Sequence, residues 1–200
     1  IAAEHQLEDI KISNVLENGD LISTIIDITK KENIDYIVMG TKGATGLAAT
    51  FLGSVTEKVI NATNTVVLAI PEACTYQPIN RILFTTSYQA EEIEILKRVV
   101  ALATVLHAQV DCLYVQPKNE IMDADVLEDW KKLFPTKMVT FHNIGSNDFE
   151  GTIIDFIVLH HTDMLAMTTH HRNFFERIFE VSLSKKLIFH AKIPILAIKA

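Results

Sequence analysis

Asp20-Leu-Ile-Ser-Thr24-Ile25-Ile26-Asp27 returns 128 residues later as Asp148-Phe-Glu-Gly-Thr152-Ile153-Ile154-Asp155. Slid by that interval, Asp20–Ile70 aligns with Asp148–Ile198 over 51 residues without a gap. Asp35 falls on Asp163, Met39 on Met167, Thr41 on Thr169, Ser54 on Ser182, and Ala69-Ile70 on Ala197-Ile198. A repeat of this kind governs every later assignment, because a missed duplication misplaces the whole fold. A gapless match with the hydrophobic pattern in phase marks a duplicated unit.

Within each copy the elements alternate. Ile10–Val15 alternates polar and apolar residues in the manner of a strand. Asp20 stands at a helix N-cap, with Leu21, Ile25 and Ile28 following at helical spacing. Asp35–Met39 reads as a short strand of the buried parallel kind, and a helix is expected near Val55–Ala62. Thr65–Ile70 is a β-branched strand that stops at Pro71. The second copy is longer. Ile79–Thr85 predicts a strand, and Glu91–His107 a helix whose apolar stripe includes Ile95, Leu96, Val99, Val100, Ala103 and Leu106. Gln109–Val115 is a strand, Asp123–Leu133 a helix and Lys137–Asn143 another strand, after which the repeat begins again.

The full unit is therefore β-α-β-α-β-α-β-α-β, an α/β fold with a doubly wound parallel sheet and right-handed crossovers. On this template residues 1–72 form the C-terminal half of a first unit and residues 73–200 a complete second one, joined through Pro71–Asn80. The chain begins at Ile1, and Ile-Ala-Ala-Glu-His-Gln-Leu-Glu-Asp-Ile-Lys reads as a helix running into a strand, so an upstream extension is expected.

Composition narrows the partners. The chain is 48% apolar and 22% charged, ordinary for a globular domain. A formal charge of −7 argues against a nucleic-acid binder, which needs a basic face. No apolar run is long enough to cross a bilayer, and the N-terminus has no signal-peptide pattern, so a cytoplasmic location without membrane partners is expected. Cys74 and Cys112 have no metal-ligand spacing and make no disulfide framework; reduced thiols are expected.

After the strand at Tyr36–Met39 comes Gly40-Thr-Lys42-Gly43-Ala-Thr-Gly46-Leu-Ala-Ala-Thr-Phe-Leu-Gly53-Ser54. Four of the chain's seven glycines fall in these fifteen residues. The loop leaves the carboxyl end of a parallel strand, where open α/β sheets bind ligands. Glycine there permits positive φ and close approach to the backbone. The helix that follows offers free N–H groups and a positive dipole end to an anion, joined by the Ser54 and Thr56 hydroxyls and by Lys42 or Lys58. Spacing alone leaves two readings open, a phosphate cradle or a tight helix–sheet turn, since this is neither a P-loop nor a dinucleotide fingerprint.

The pattern Met39-Gly40-x2-Gly43-x9-Gly53-Ser54, followed by a helix and then Thr65-Val-Val-Leu-Ala-Ile-Pro71, resembles the universal stress protein family. Its ATP-binding members carry G-x2-G-x9-G-[S/T], which Gly40, Gly43, Gly53 and Ser54 satisfy. The resemblance runs over essentially the whole chain, Ile79–Pro117 resembling the opening strand, helix and second strand of such a domain. It implies a Rossmann-like tandem protein that binds ATP, with or without magnesium, and serves as a regulator of the stress response. Gly40, Gly43, Gly53 and Ser54 would contact ribose and phosphates, Val55 and Thr56 would add backbone N–H groups, and Met39 would lie near the adenosine. The final strands of the two copies, Thr65–Ile70 and Ile193–Lys199, would meet across a pseudo-twofold, giving an intramolecular pseudo-dimer or a homo-oligomer. In the second copy Thr168, His171 and Val181 replace the glycines, Phe174 and Phe175 fill the loop, and Ser87 stands where the binding members tend to have Asp. The second site is expected to be silent toward ATP.

Other features are read blandly. His160-His161 and His170-His171 lack the cysteine or carboxylate that would complete a metal site and are expected to be solvated helix-end residues. Asp27 and Asp155 read as exposed helix carboxylates, and Trp130 with Leu127 and Leu133 as core or interface. No nucleophile–base–orienter set is visible, so slow ATP hydrolysis is the most that enzymatic activity is expected to amount to. The competing functions are a nucleotide-independent dimeric interaction module and an adenine-nucleotide hydrolase.

Overall fold

The computed structural model describes residues 11–41, 54–120, 124–135, 137–169 and 192–199. The elements in order are α1 (Leu21–Lys31), β1 (Tyr36–Gly40), α2 (Ser54–Ala62), β2 (Val66–Ile70), β3 (Arg81–Thr86), α3 (Glu92–Leu106), β4 (Gln109–Gln116), α4 (Ala124–Leu133), β5 (Val139–Gly145), α5 (Phe149–His160), β6 (Met164–Thr168) and β7 (Ile195–Ile198). The strands form one seven-stranded sheet in the order β1-β2-β7-β6-β3-β4-β5.

Strand residues alternate between two faces, and each face has its own core. Val67, Ala69, Leu83, Leu113, Leu165 and Ile195 point to one side, where Val59 and Ile60 of α2 and Ile153, Phe156 and Ile157 of α5 cover them. Ile22 and Ile25 bring α1 to that same side. Val66, Ile82, Phe84, Val110, Cys112 and Leu196 point to the other, under Ile95, Leu96 and Val99 of α3 and Trp130 of α4. Helices on both faces make the sheet doubly wound, as the alternating sequence required. Trp130 is a core residue, its ring 5.0 Å from that of Tyr88.

Among the described residues every strand pair is parallel except one. At β2–β7 the chains run antiparallel, with Val67 opposite Ala197, Leu68 opposite Leu196 and Ala69 opposite Ile195. Leu68 and Leu196 are counterparts under the 128-residue shift, and so are Val67 and Ile195, and Ala69 and Ala197. A local twofold therefore passes through the Leu68–Leu196 pair, within the two strands that the resemblance implied would meet. Caps repeat in the same register. Asp20 accepts from the Ser23 amide and Asp148 from the Gly151 amide, each at the head of its helix. Asn33 and His161, also 128 apart, both take the left-handed conformation that ends a helix, at φ 50 and 52.

Two expectations are corrected. Lys11–Val15, the described part of the stretch read as a strand, has no regular structure and is exposed. Its counterpart, β5, is held by β4, whereas among the described residues no strand lies beside Lys11–Val15, so its alternation finds no ladder. The strand at Asp35–Met39, read as buried, is β1 at the sheet edge; it pairs in parallel with β2, but Tyr36 and Val38 are 42% and 63% exposed. Their counterparts Met164 and Ala166 are buried, at 4% and 0%, because β3 lies beside them and α3 above.

Candidate functional site

β1 and α2 converge where the glycine motif begins. Gly40 is the last residue of β1, opposite Ile70, and the ladder continues one step through the Thr41 amide, which donates to the Ile70 carbonyl at 3.0 Å. The counterpart bond, Thr169 amide to Ile198 carbonyl, has the same length of 3.0 Å. Thr56, buried in the first turn of α2, donates its hydroxyl to the Gly40 carbonyl at 2.9 Å. That bond clips the start of α2 to the end of β1, so the hydroxyl proton is committed to the scaffold. Ser54 opens α2 and Val55 follows it, 38% exposed. The first-turn N–H groups here have no intrahelical acceptor and point beyond the carboxyl end of β1. Met39, opposite Ala69, packs into the core on the α2 side. Gly43 and Gly53 lie outside the described residues, as do Lys42, His170, His171, Phe174, Phe175, Val181 and Ser182.

A second concave region lies at the carboxyl ends of β3, β4 and β6. It is a cavity of about 240 Å³ whose wall includes Thr85, Thr86, Tyr114, Phe149 and Thr168. Ser87 is there too, at the position expected to have lost an Asp. An acid is nevertheless present: Glu92, buried at the head of α3, turns back and accepts from the Thr86 hydroxyl at 2.8 Å, the Ser87 amide at 2.9 Å and the Gln89 amide at 3.1 Å. Between them Tyr88 holds φ at +58, unusual for a bulky residue and tolerated where surrounding bonds fix the turn.

One partly buried network has no motif to announce it. Asp111 in β4, with its side chain 3% exposed, accepts from Arg81 Nη1 and contacts His142 Nε2, each at 2.8 Å. The His142 ring in turn meets Phe156 and His160 edge-on, at 4.9 and 5.4 Å. Burial pushes the Asp111 carboxyl up, but the hydrogen bonds from His142 and Arg81, with the charge of Arg81, outweigh it and leave it below 3.8. The available signal was a lone acid within the apolar strand Gln109–Gln116.

His161 is exposed, as expected of a helix-end residue, but His160 is half-buried. His160 stacks on Phe156 at 3.9 Å and His161 closes α5. Among the described residues no group of three His, Cys, Asp or Glu side chains could hold a metal ion. Asp27 and Asp155 are exposed. Cys74 and Cys112 are free thiols, the latter buried. No described helix is long and apolar enough to cross a membrane.

Residues 1–71 match the model of the universal stress protein family. Two universal stress proteins of Methanocaldococcus jannaschii are each 39% identical to this chain, over 67 and 61 residues, or 32% and 30% of its length. The matched stretch spans 41% and 36% of those relatives, well under two thirds of either. In fold, a universal stress protein from Archaeoglobus fulgidus superposes with a TM-score of 0.70 at 17% identity, covering 99% of this chain and 72% of that one. The first 71 residues thus match the universal stress protein family, and over its whole length the chain has the fold of that Archaeoglobus fulgidus protein.

Proposed function

We propose that this protein binds an adenine nucleotide, ATP with or without magnesium, on the loop between β1 and α2, and acts as a cytoplasmic regulator rather than as an enzyme. Gly40, Gly43, Gly53 and Ser54 hold the ribose and phosphates, Val55 and Thr56 contribute amides, and Met39 sits at the adenosine end. The observation that carries this reading is the clip between Thr56 and Gly40, which sets a helix N-terminus beside the carboxyl end of a parallel strand at the start of the motif.

The same reading assigns residues 1–72 to the C-terminal half of a first unit and 73–200 to a complete second unit, paired through β2 and β7 as a pseudo-dimer. The exposure of Tyr36 and Val38 against the burial of Met164 and Ala166 supports it, since a strand and helix like β3 and α3 would cover that face. Calorimetric titration with Mg-ATP tests the binding. A saturable heat is expected, abolished in Gly43→Trp; absence of binding, or binding unchanged in that variant, would refute it. The same uncovered face favours a second reading, a nucleotide-independent interaction module, which predicts partner binding insensitive to ATP.

A further inference from the structure

Asn18 is followed by Gly19, and no other asparagine of the chain precedes a glycine. The pair lies in the irregular stretch that leads into α1, and both residues are exposed. Gly19 holds φ at +145, a backbone shape that a side chain would strain, so the position calls for glycine. Among the described residues no hydrogen bond engages either one. The second copy differs. The 128-residue shift carries Asn18-Gly19 onto Ser146-Asn147, where the Ser146 amide donates to the Gln116 carbonyl at 2.8 Å and the Ser146 hydroxyl accepts from the Asp148 amide at 3.1 Å. There the side-chain oxygen of Asn147 accepts from the Lys118 amide at 3.0 Å, and the next residue is Asp148, which carries a Cβ. One turn is pinned by its bonds; its counterpart is exposed and unbonded.

We infer that Asn18 is a site of spontaneous, backbone-assisted deamidation, which makes the head of α1 more acidic and weakens anion binding at the loop between β1 and α2. The Gly19 amide nitrogen, its proton lost to solvent, attacks the Asn18 side-chain carbonyl carbon and closes a cyclic imide. The Cγ–Nδ2 bond breaks, and the leaving nitrogen takes a proton from water and departs as ammonia. Water then opens the ring at either carbonyl to give aspartate or isoaspartate, so that, net, water enters and ammonia leaves. Glycine favours the closure because no Cβ hinders the approach of its nitrogen. The product lies at a sensitive rim. The end of α1 at Lys31 feeds the start of β1 at Tyr36, so the head of α1 points toward the carboxyl end of β1, where α2 also begins. Bonds from Ser23, and in smaller part the charge of Lys58 on α2, hold the neighbouring Asp20 carboxyl below its ordinary range, so Lys58 is within electrostatic reach of this corner. A new carboxylate beside Asp20 adds negative charge there. Its effect on a phosphate rests on the nucleotide reading of the loop; the deamidation does not.

Peptide mapping of the full chain after incubation in mildly alkaline buffer, with isoaspartate scored by enzymatic methylation, tests the chemistry. Aspartate and isoaspartate are expected to accumulate at Asn18 at least several-fold faster than at Asn147 or any other asparagine, and faster as pH rises, since the attacking nitrogen must lose its proton. Asn18→Gln, whose longer side chain closes the ring poorly, is expected to abolish the product at that position. Equal rates at Asn18 and Asn147, or a rate indifferent to pH, would overturn the deamidation. Asn18→Asp places the product's charge on the folded chain. It is expected to bind Mg-ATP several-fold more weakly than Asn18→Gln in calorimetry, the gap closing at high salt because the charge is exposed and screened. Equal affinities in these two variants would overturn the link to the loop. Absence of Mg-ATP binding by the unmodified chain would refute the nucleotide reading and that link together, and the deamidation would stand or fall by the mapping.

Discussion

The twofold at Leu68–Leu196 makes an unequal pair from equal residues, and the inequality can be measured. Leu196 is 2% exposed, enclosed with Phe84, Ala166 and Ile198 on the α3 side. Leu68 faces the same way but is half-buried, because among the described residues no helix covers its side of the sheet. Truncating a fully enclosed leucine to alanine loses its transfer free energy and leaves a cavity, so Leu196→Ala is expected to cost about 3 kcal/mol. At Leu68 part of the side chain already meets water, and solvent can fill the space left behind. Leu68→Ala is therefore expected to cost about 1 kcal/mol. Urea unfolding of both variants, with the denaturant slope checked for constancy, gives the difference directly. Equal costs within about 0.5 kcal/mol, the usual scatter of such comparisons, would refute the reasoning from one-sided cover. The experiment also bears on domain organisation. In a longer polypeptide whose additional residues cover Tyr36 and Val38, the Leu68→Ala cost should rise toward that of Leu196→Ala.

Other outcomes follow from the polar sites. Asp111→Asn leaves Arg81 and His142 without their shared acceptor; because Arg81 is 37% exposed and keeps some water, the expected loss is about 2 kcal/mol, below that of a fully enclosed pair. Since the folded-state carboxyl lies below 3.8, the Asp111 contribution is present above that pH and disappears as pH falls through the folded value, so unfolding curves of wild type and variant should converge under acid. Glu92→Gln weakens the acceptor shared by Thr86, Ser87 and Gln89 at the end of β3 and should cost about 1–3 kcal/mol in thermal unfolding. Thr56→Val cuts the clip to Gly40, and is expected to cost about 1 kcal/mol and to weaken Mg-ATP binding several-fold by calorimetry, with Thr56→Ser restoring both.

Much of the fold was legible because hydrophobic period and helix punctuation are local signals. Asp20 and Asp148 cap as their position implied, whereas the opposition of β2 and β7 was implied by the family resemblance and not by the residues themselves. What failed depended on absent neighbours. Lys11–Val15 has strand alternation but no ladder to join, and Tyr36 and Val38 have the residue types of a buried strand without its cover. Periodicity reports how a segment would fit a sheet, not whether a neighbour is there to receive it. In the candidate site, spacing identified the β1–α2 corner but not that the Thr56 hydroxyl is committed to Gly40. The Arg81–Asp111–His142 network joins three strands across about thirty residues at each step, with no motif to announce it.

The antiparallel joint in an otherwise parallel sheet also bears on how the two copies could diverge. Reversing direction at β2–β7 sends the carboxyl ends of β1 and of β6 to opposite rims of the sheet. A five-residue strand at about 3.3 Å per residue separates those rims by roughly 17 Å. Substitutions at one rim are thus out of contact with the other, leaving either copy free to change its chemistry. The residues along the seam have no such freedom: a change at Leu68 or Leu196 is felt by both halves at once. Drift would be cheap at the rims and constrained at the seam, which fits a pair that has kept Leu-Ala-Ile in both joining strands while every loop glycine of one copy has been replaced in the other.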